Sequence, residues 1–152
     1  MSRRKRDQRI ERLKAVELEA QTAAVAITAL SRVVRLNPSA LARHKLRPAN
    51  LRVFRENLQP TYLIRVFAEF ESGLRDAWMY AYRPSTHPKA HDLINSIAAL
   101  SAVPMNWLNR VHEVREYRNS LVHEQVEAHT PVVVGEATQY LARYFSLLPP
   151  NW

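Results

Sequence analysis

Two glycines, Gly73 and Gly135, are all that the 152 residues contain. Tight hairpin turns draw on glycine for their positive φ angles, so a chain this poor in it has few ways to fold back on itself as a sheet. Ala, Leu, Arg and Glu, which enter helices at little cost, are plentiful instead. The expectation is an all-α protein. Hydrophobic residues make up 47% of the chain, enough for a sizeable core in one domain spanning residues 1–152.

Periodicity divides the chain into helices. Leu13, Val16, Ala20, Ala23, Ile27, Leu30 and Val34 recur at alternating steps of three and four, a heptad seam that predicts one long helix from about residue 6 to residue 36, stopped at Asn37–Ser39. At 1.5 Å per residue it would reach roughly 45 Å, so it must lie along the whole bundle or reach out to a partner, and its interior alanines suit close packing. Residues 37–60 read as a basic, proline-punctuated connector holding a short helix near Ala49–Asn57. Pro60 suits a first helical position. After it Leu63, Val66, Phe67, Phe70, Leu74, Ala77, Trp78 and Ala81 mark one face, opposite Arg65, Glu69 and Asp76. A shorter helix through Ala102 follows the Pro/Ser/Thr break at 84–88, and Pro104 opens another that runs to about His123. Thr130 as N-cap and Pro131 as first residue announce the last. The architecture expected is an antiparallel, four-helix-bundle-like all-α fold with a long N-terminal helix and short extra helices, residues 1–59 being the basic helix and connector and 60–152 the core.

Absences narrow the function. Without cysteine there are no disulfides, thiolate metal sites or cysteine nucleophiles. No apolar run approaches the roughly 18 residues of a membrane span, and "MSRRKRDQRIERLK" continues into an amphipathic pattern and not into a signal-peptide apolar block. The reading is a cytoplasmic protein without a membrane partner. The net charge of +8 is uneven: residues 1–55 hold 14 Lys and Arg against 4 Asp and Glu, residues 56–152 hold 8 against 10. The first part can meet a polyanion or present a solvated basic face. Arg3, Arg4, Lys5 and Arg6, with Arg115 further on, are the candidate contacts for RNA.

The chemistry concentrates in "EYRNSLVHE", residues 116–124. At about 100° per residue, Trp107, Val111, Val114, Leu121 and Val122 share one side of their helix, and Arg118 falls among them. His112, Glu116, Asn119 and His123 share roughly the opposite side. A guanidinium on an apolar stripe requires a carboxylate, carbonyls, a phosphate or a wet interface. Glu71, at the edge of the preceding helix's apolar face, is the candidate partner, and Glu116 a second supporting acid. His123 at a helix C-terminus can serve the helix dipole or act as an acid or base. His112 reads as a surface residue. His44, His87, His91 and His129 fall in or near loops without ligand spacing on one face, so neither a metal site nor a cofactor is expected.

Arginine, asparagine and histidine together suit cleavage of RNA without metal. The histidine takes the proton of a ribose 2′-OH as that oxygen attacks the adjacent phosphorus, the arginine fork holds the phosphate oxygens and the charge they gain, and the asparagine orients either. The products are a 2′,3′-cyclic phosphate and a 5′-hydroxyl. Arg118 and His123 point about 140° apart on an ideal helix, so a shared site needs a loosened helix end, a reaching arginine or a second protomer.

"REYRNSLVHE" resembles the signature of the HEPN domains (higher eukaryotes and prokaryotes nucleotide-binding), an arginine, four to six residues and a histidine, often with a polar residue after the arginine. Arg118, Asn119 and His123 match it. "YLIRVFAEFESGLRDAW", the motif helix and a last helix closing on "LARYFSLLPPNW" resemble the order of HEPN core helices over residues 60–152. The resemblance implies a homodimer with two motifs face to face, and metal-independent endoribonuclease activity of the kind used in toxin–antitoxin pairs, with an antitoxin protein as partner, or in antiphage defence. The alternative it leaves open is a non-catalytic module that binds nucleotides or proteins.

Overall fold

The structure, a computed structural model, describes residues 5–82, 86–123 and 129–152. All its regular elements are helices: α1 (Lys5–Leu36), a 3-10 helix (Pro38–His44), α2 (Pro48–Tyr82), α3 (Ala90–Leu100), α4 (Met105–His123) and α5 (Val134–Ser146). The all-helical bundle expected from the glycine-poor sequence is present.

Side-chain contacts give the helix directions. Arg55 meets Ser31, Arg65 meets Glu19 and Arg9 meets Asp76, so α2 advances as α1 recedes and the two are antiparallel. Gln59 meets Val134 while Phe70 packs on Tyr144 and Phe145, so α2 and α5 run parallel. The core is built where these helices meet. Leu13, Val16 and Ala20 of α1, Leu63, Val66, Phe67, Phe70 and Leu74 of α2, Leu93 and Ile94 of α3, Val111 and Val114 of α4, and Leu141, Tyr144 and Phe145 of α5 form one buried cluster. Each of its large side chains contributes about 1.5–3 kcal/mol on leaving water. Phe70 sits at the centre, edge-on to Tyr144 at 5.5 Å and tilted to Phe145 at 4.9 Å. Burial pushes the Tyr144 phenol far up, keeping it a donor to the Ile94 carbonyl at 2.7 Å, which ties α5 to α3.

Beyond Ala20 the seam on α1 continues outside this cluster, with Ile27 and Val34 buried, while Ala23 is only half-buried and Leu30 is exposed. The other side of that stretch shows Val25, Val33 and Leu36 to solvent.

Three boundaries differ from expectation. The separate short helix at Ala49–Asn57 and the start at Pro60 are one helix: α2 begins at Pro48 and passes through Pro60, so no break falls between residues 59 and 60. Proline inside a helix removes one backbone hydrogen bond, and buried Leu58 and Leu63 on either side hold the helix together there. The last helix starts at Val134, not at Thr130 and Pro131. Its cap position is Val133, without a side-chain cap, and Gln59 of α2 instead accepts the Val134 N–H at 2.9 Å. α3 ends at Leu100, two residues short of Ala102.

Candidate functional site

α4 presents Arg118 half-buried against α2, its guanidinium carbon 5.6 Å from the Phe67 ring centroid. NH1 donates to Asn119 Oδ1 at 3.0 Å, and Nε is buried with no partner. Among the described residues no carboxylate pairs with it. Glu71 does not fill that place: it accepts from Arg75 at 2.5 Å, one turn along its own helix, and Arg75 also reaches the Pro88 carbonyl at 3.3 Å. A same-helix cation four residues away meets this carboxylate without any demand on helix packing. Asn119, placed by its spacing on the side opposite the apolar stripe, is half-buried and engaged by Arg118.

His123 is exposed and is the last residue of α4. Among the described residues no hydrogen bond joins it to Arg118 or Asn119. The motif therefore appears as a fixed Arg118–Asn119 pair and a separate histidine at the helix end.

A second group of polar residues lies on the next turns of α4. Arg115, whose side chain is 17% exposed, donates Nε–H to His112 Nδ1 at 3.3 Å and NH2 to Glu116 Oε1 at 3.3 Å. That nitrogen of His112 must then be unprotonated, so Nε2 carries the hydrogen and donates to Asn95 Oδ1 on α3 at 2.9 Å. The Asn95 amide nitrogen lies 3.2 Å from His91 Nε2, and His91 Nδ1 lies 3.1 Å from Asp92 Oδ1. The two imidazole rings are 5.0 Å apart. Burial, then the charge of Arg115 and then His91, lower the His112 pKa below its ordinary value, with Glu116 opposing. A neutral ring is what the two hydrogen bonds require.

The sequence reading missed this cluster. His91, near a loop as expected, lies in the first turn of α3, and His112 is half-buried and not a simple surface residue. Each helix carries a signal, since His91 and Asn95 are four apart and His112, Arg115 and Glu116 are three and four apart. Nothing in either period says that these two faces meet.

Of the basic candidates, Arg3 and Arg4 lie outside the described residues, and Lys5 is exposed at the start of α1. Arg6 is engaged by the C-terminal segment, with NH1 on the Leu148 carbonyl at 3.1 Å and Nε on Asp7 at 3.1 Å. An apolar cavity of about 150 Å³, lined by Ala77, Ile97, Leu148 and Trp152 among others, lies apart from the motif and holds no acid–base pair. Among the described residues no three His, Asp or Glu are grouped as metal ligands, and no helix is long and apolar enough to cross a membrane. Comparison with protein-family models, curated proteins and solved structures gives no match.

Proposed function

We propose that the chain is a HEPN-type, metal-independent endoribonuclease that acts as a homodimer, in the setting of a toxin restrained by an antitoxin or of antiphage defence. The observation that carries the reading is the state of Arg118: a half-buried guanidinium, oriented by Asn119, with no carboxylate among the described residues to neutralise it and with a buried, unpartnered Nε. Such a cation, resting on Phe67, is ready for an anion with paired oxygens, and a phosphodiester has that geometry. Glu71, the candidate partner for an internal ion pair, is held by Arg75 instead.

In this reading Arg118 binds the non-bridging oxygens of the scissile phosphate and stabilises the charge that develops on them. His123, exposed at the end of α4, accepts the 2′-OH proton as that oxygen attacks phosphorus. The 5′ oxygen leaves with a proton supplied by the histidine of the second protomer, whose motif faces the first across a two-fold axis.

Purified protein incubated with RNA in EDTA should yield 2′,3′-cyclic phosphate ends, and His123→Ala should abolish the cleavage with an unchanged circular dichroism spectrum. Cleavage by His123→Ala at the wild-type rate sinks the assignment.

A further inference from the structure

We propose that His112, Arg115 and His91 form a second phosphodiester subsite on the α3–α4 face, one that takes up a proton as it binds the RNA backbone beside the scissile phosphate. This rests on the ribonuclease reading for the identity of the strand and for the seating of its scissile phosphate on Arg118.

Position supports it first. His112, Arg115 and Asn119 follow one another on one face of α4 at steps of three and four, so Arg115 lies about one turn and His112 about two turns from the pair formed by Arg118 and Asn119. A strand whose scissile phosphate is on Arg118 would bring its neighbouring backbone over Arg115 and His112 if it tracks α4, as strands follow basic grooves.

Chemistry supports it second. In the free protein the Arg115 fork is turned inward, spending Nε–H on His112 and NH2 on exposed Glu116 at 3.3 Å each, both long for charge-assisted bonds. A phosphate offers that fork a better acceptor. When Arg115 turns to it, Nδ1 of His112 loses its donor. The ring then takes one proton from solvent, keeps it at Nδ1 and donates a hydrogen bond from it to a phosphate oxygen, with Nε2–H still on Asn95. His91, 5.0 Å away and beside Asp92, adds a second imidazole at the same edge.

The groups facing His112 set the direction of the pH response. From α4 these are Arg115 and Glu116, and from α3 His91, Asn95 and, behind His91, Asp92. On α2, Glu71 and Arg75 are engaged with each other and with Pro88. In the free protein burial, Arg115 and His91 disfavour the imidazolium. A bound phosphate favours it. Bound protein therefore carries the extra proton over a window reaching upward from a free pKa below 6.5, and affinity rises as pH falls through that window.

Fluorescence anisotropy with a labelled single-stranded 2′-O-methyl RNA, which has no free 2′-OH to attack, reads this at constant ionic strength at pH 7.5 and pH 5.5. Wild-type affinity should rise on acidification toward the one-proton limit of about tenfold per pH unit, and His112→Gln should lose that rise. In the wild-type chain the His112 ring C–H resonance should titrate at higher pH with the oligonucleotide than without it, a readout that needs no variant to fold. A His112 titration unmoved by saturating oligonucleotide, a full pH response in His112→Gln, or no wild-type binding at either pH overturns the subsite. The ribonuclease reading fails separately: protein that binds this way and leaves ordinary RNA uncut keeps the subsite and loses the cleavage.

Discussion

Arg118 gives NH1 to Asn119, its neighbour on α4, at 3.0 Å, while Glu71 is held by Arg75. The stability consequence differs sharply from that of the ion pair that helix faces suggested. Truncating one partner of a buried pair leaves the other charge uncompensated and costs about 3–5 kcal/mol. Arg118→Ala removes one side-chain hydrogen bond and a cation resting on Phe67 and, among the described residues, strands no carboxylate, so it should cost only about 1–2 kcal/mol. Urea unfolding followed by circular dichroism separates the two ranges. If Arg118 binds the scissile phosphate as proposed, the same variant should also lose RNA cleavage under conditions where it remains folded.

Gly73 is expected to resist the substitution that helix propensity favours. Alanine inside a helix is preferred to glycine by about 1 kcal/mol, yet a Cβ built on Gly73 would lie 2.6 Å from Phe145 Cζ and 3.3 Å from Arg9 Cδ. Phe145 is fully buried and packed between Phe70 and Trp152, so it cannot retreat without opening the core. Gly73→Ala should therefore lower stability by about 1–3 kcal/mol, read as a lower melting temperature. A higher melting temperature would show that Phe145 moves freely.

The fold was legible where burial repeats with the helix. Leu63, Val66, Phe67, Phe70, Leu74 and Ala77 are buried as their spacing predicts, while Trp78 is half-buried and Ala81, at the end of the same face, is exposed. Proline signals worked only in part: Pro104 directly precedes α4, whereas Pro131 falls ahead of α5 and Pro60 sits inside α2, where packing on both sides outweighs one lost hydrogen bond. The site was legible as residue types and illegible as partners. Periodicity put Arg118 on the apolar stripe, but Asn119 as its acceptor, Arg75 as the owner of Glu71, and His91 against His112 are choices made by rotamers and by contact between helices.

Gln59 offers a test of one such long-range contact. Its Oε1 accepts the Val134 N–H at 2.9 Å, supplying from α2 the cap that α5 lacks from its own sequence. Gln59→Ala should cost about 0.5–2 kcal/mol, the range for losing an N-terminal cap. Gln59→Glu keeps an acceptor and places a negative charge at the helix N-terminus, so it should retain most of that stability. Hydrogen exchange at the Val134 amide checks the assignment directly: it should quicken in Gln59→Ala and stay slow in Gln59→Glu.

His112 should make the free protein less stable in mild acid. Its folded pKa lies below its ordinary value of 6.5 because burial, Arg115 and His91 oppose the charged ring, so between the two pKa values the unfolded chain binds more protons than the folded one. Stability then falls as pH drops from above 6.5 toward the folded pKa, and this contribution levels off below it. Denaturant midpoints at pH 7.5, 6.5 and 5.5 should decline in wild type. His112→Gln keeps a side-chain amide to hydrogen-bond Asn95 and has nothing to protonate, so its decline should be shallower than that of wild type. Parallel declines in the two proteins would assign the acid sensitivity to other groups and leave His112 without the proton linkage that its hydrogen bonds to Arg115 and Asn95 impose.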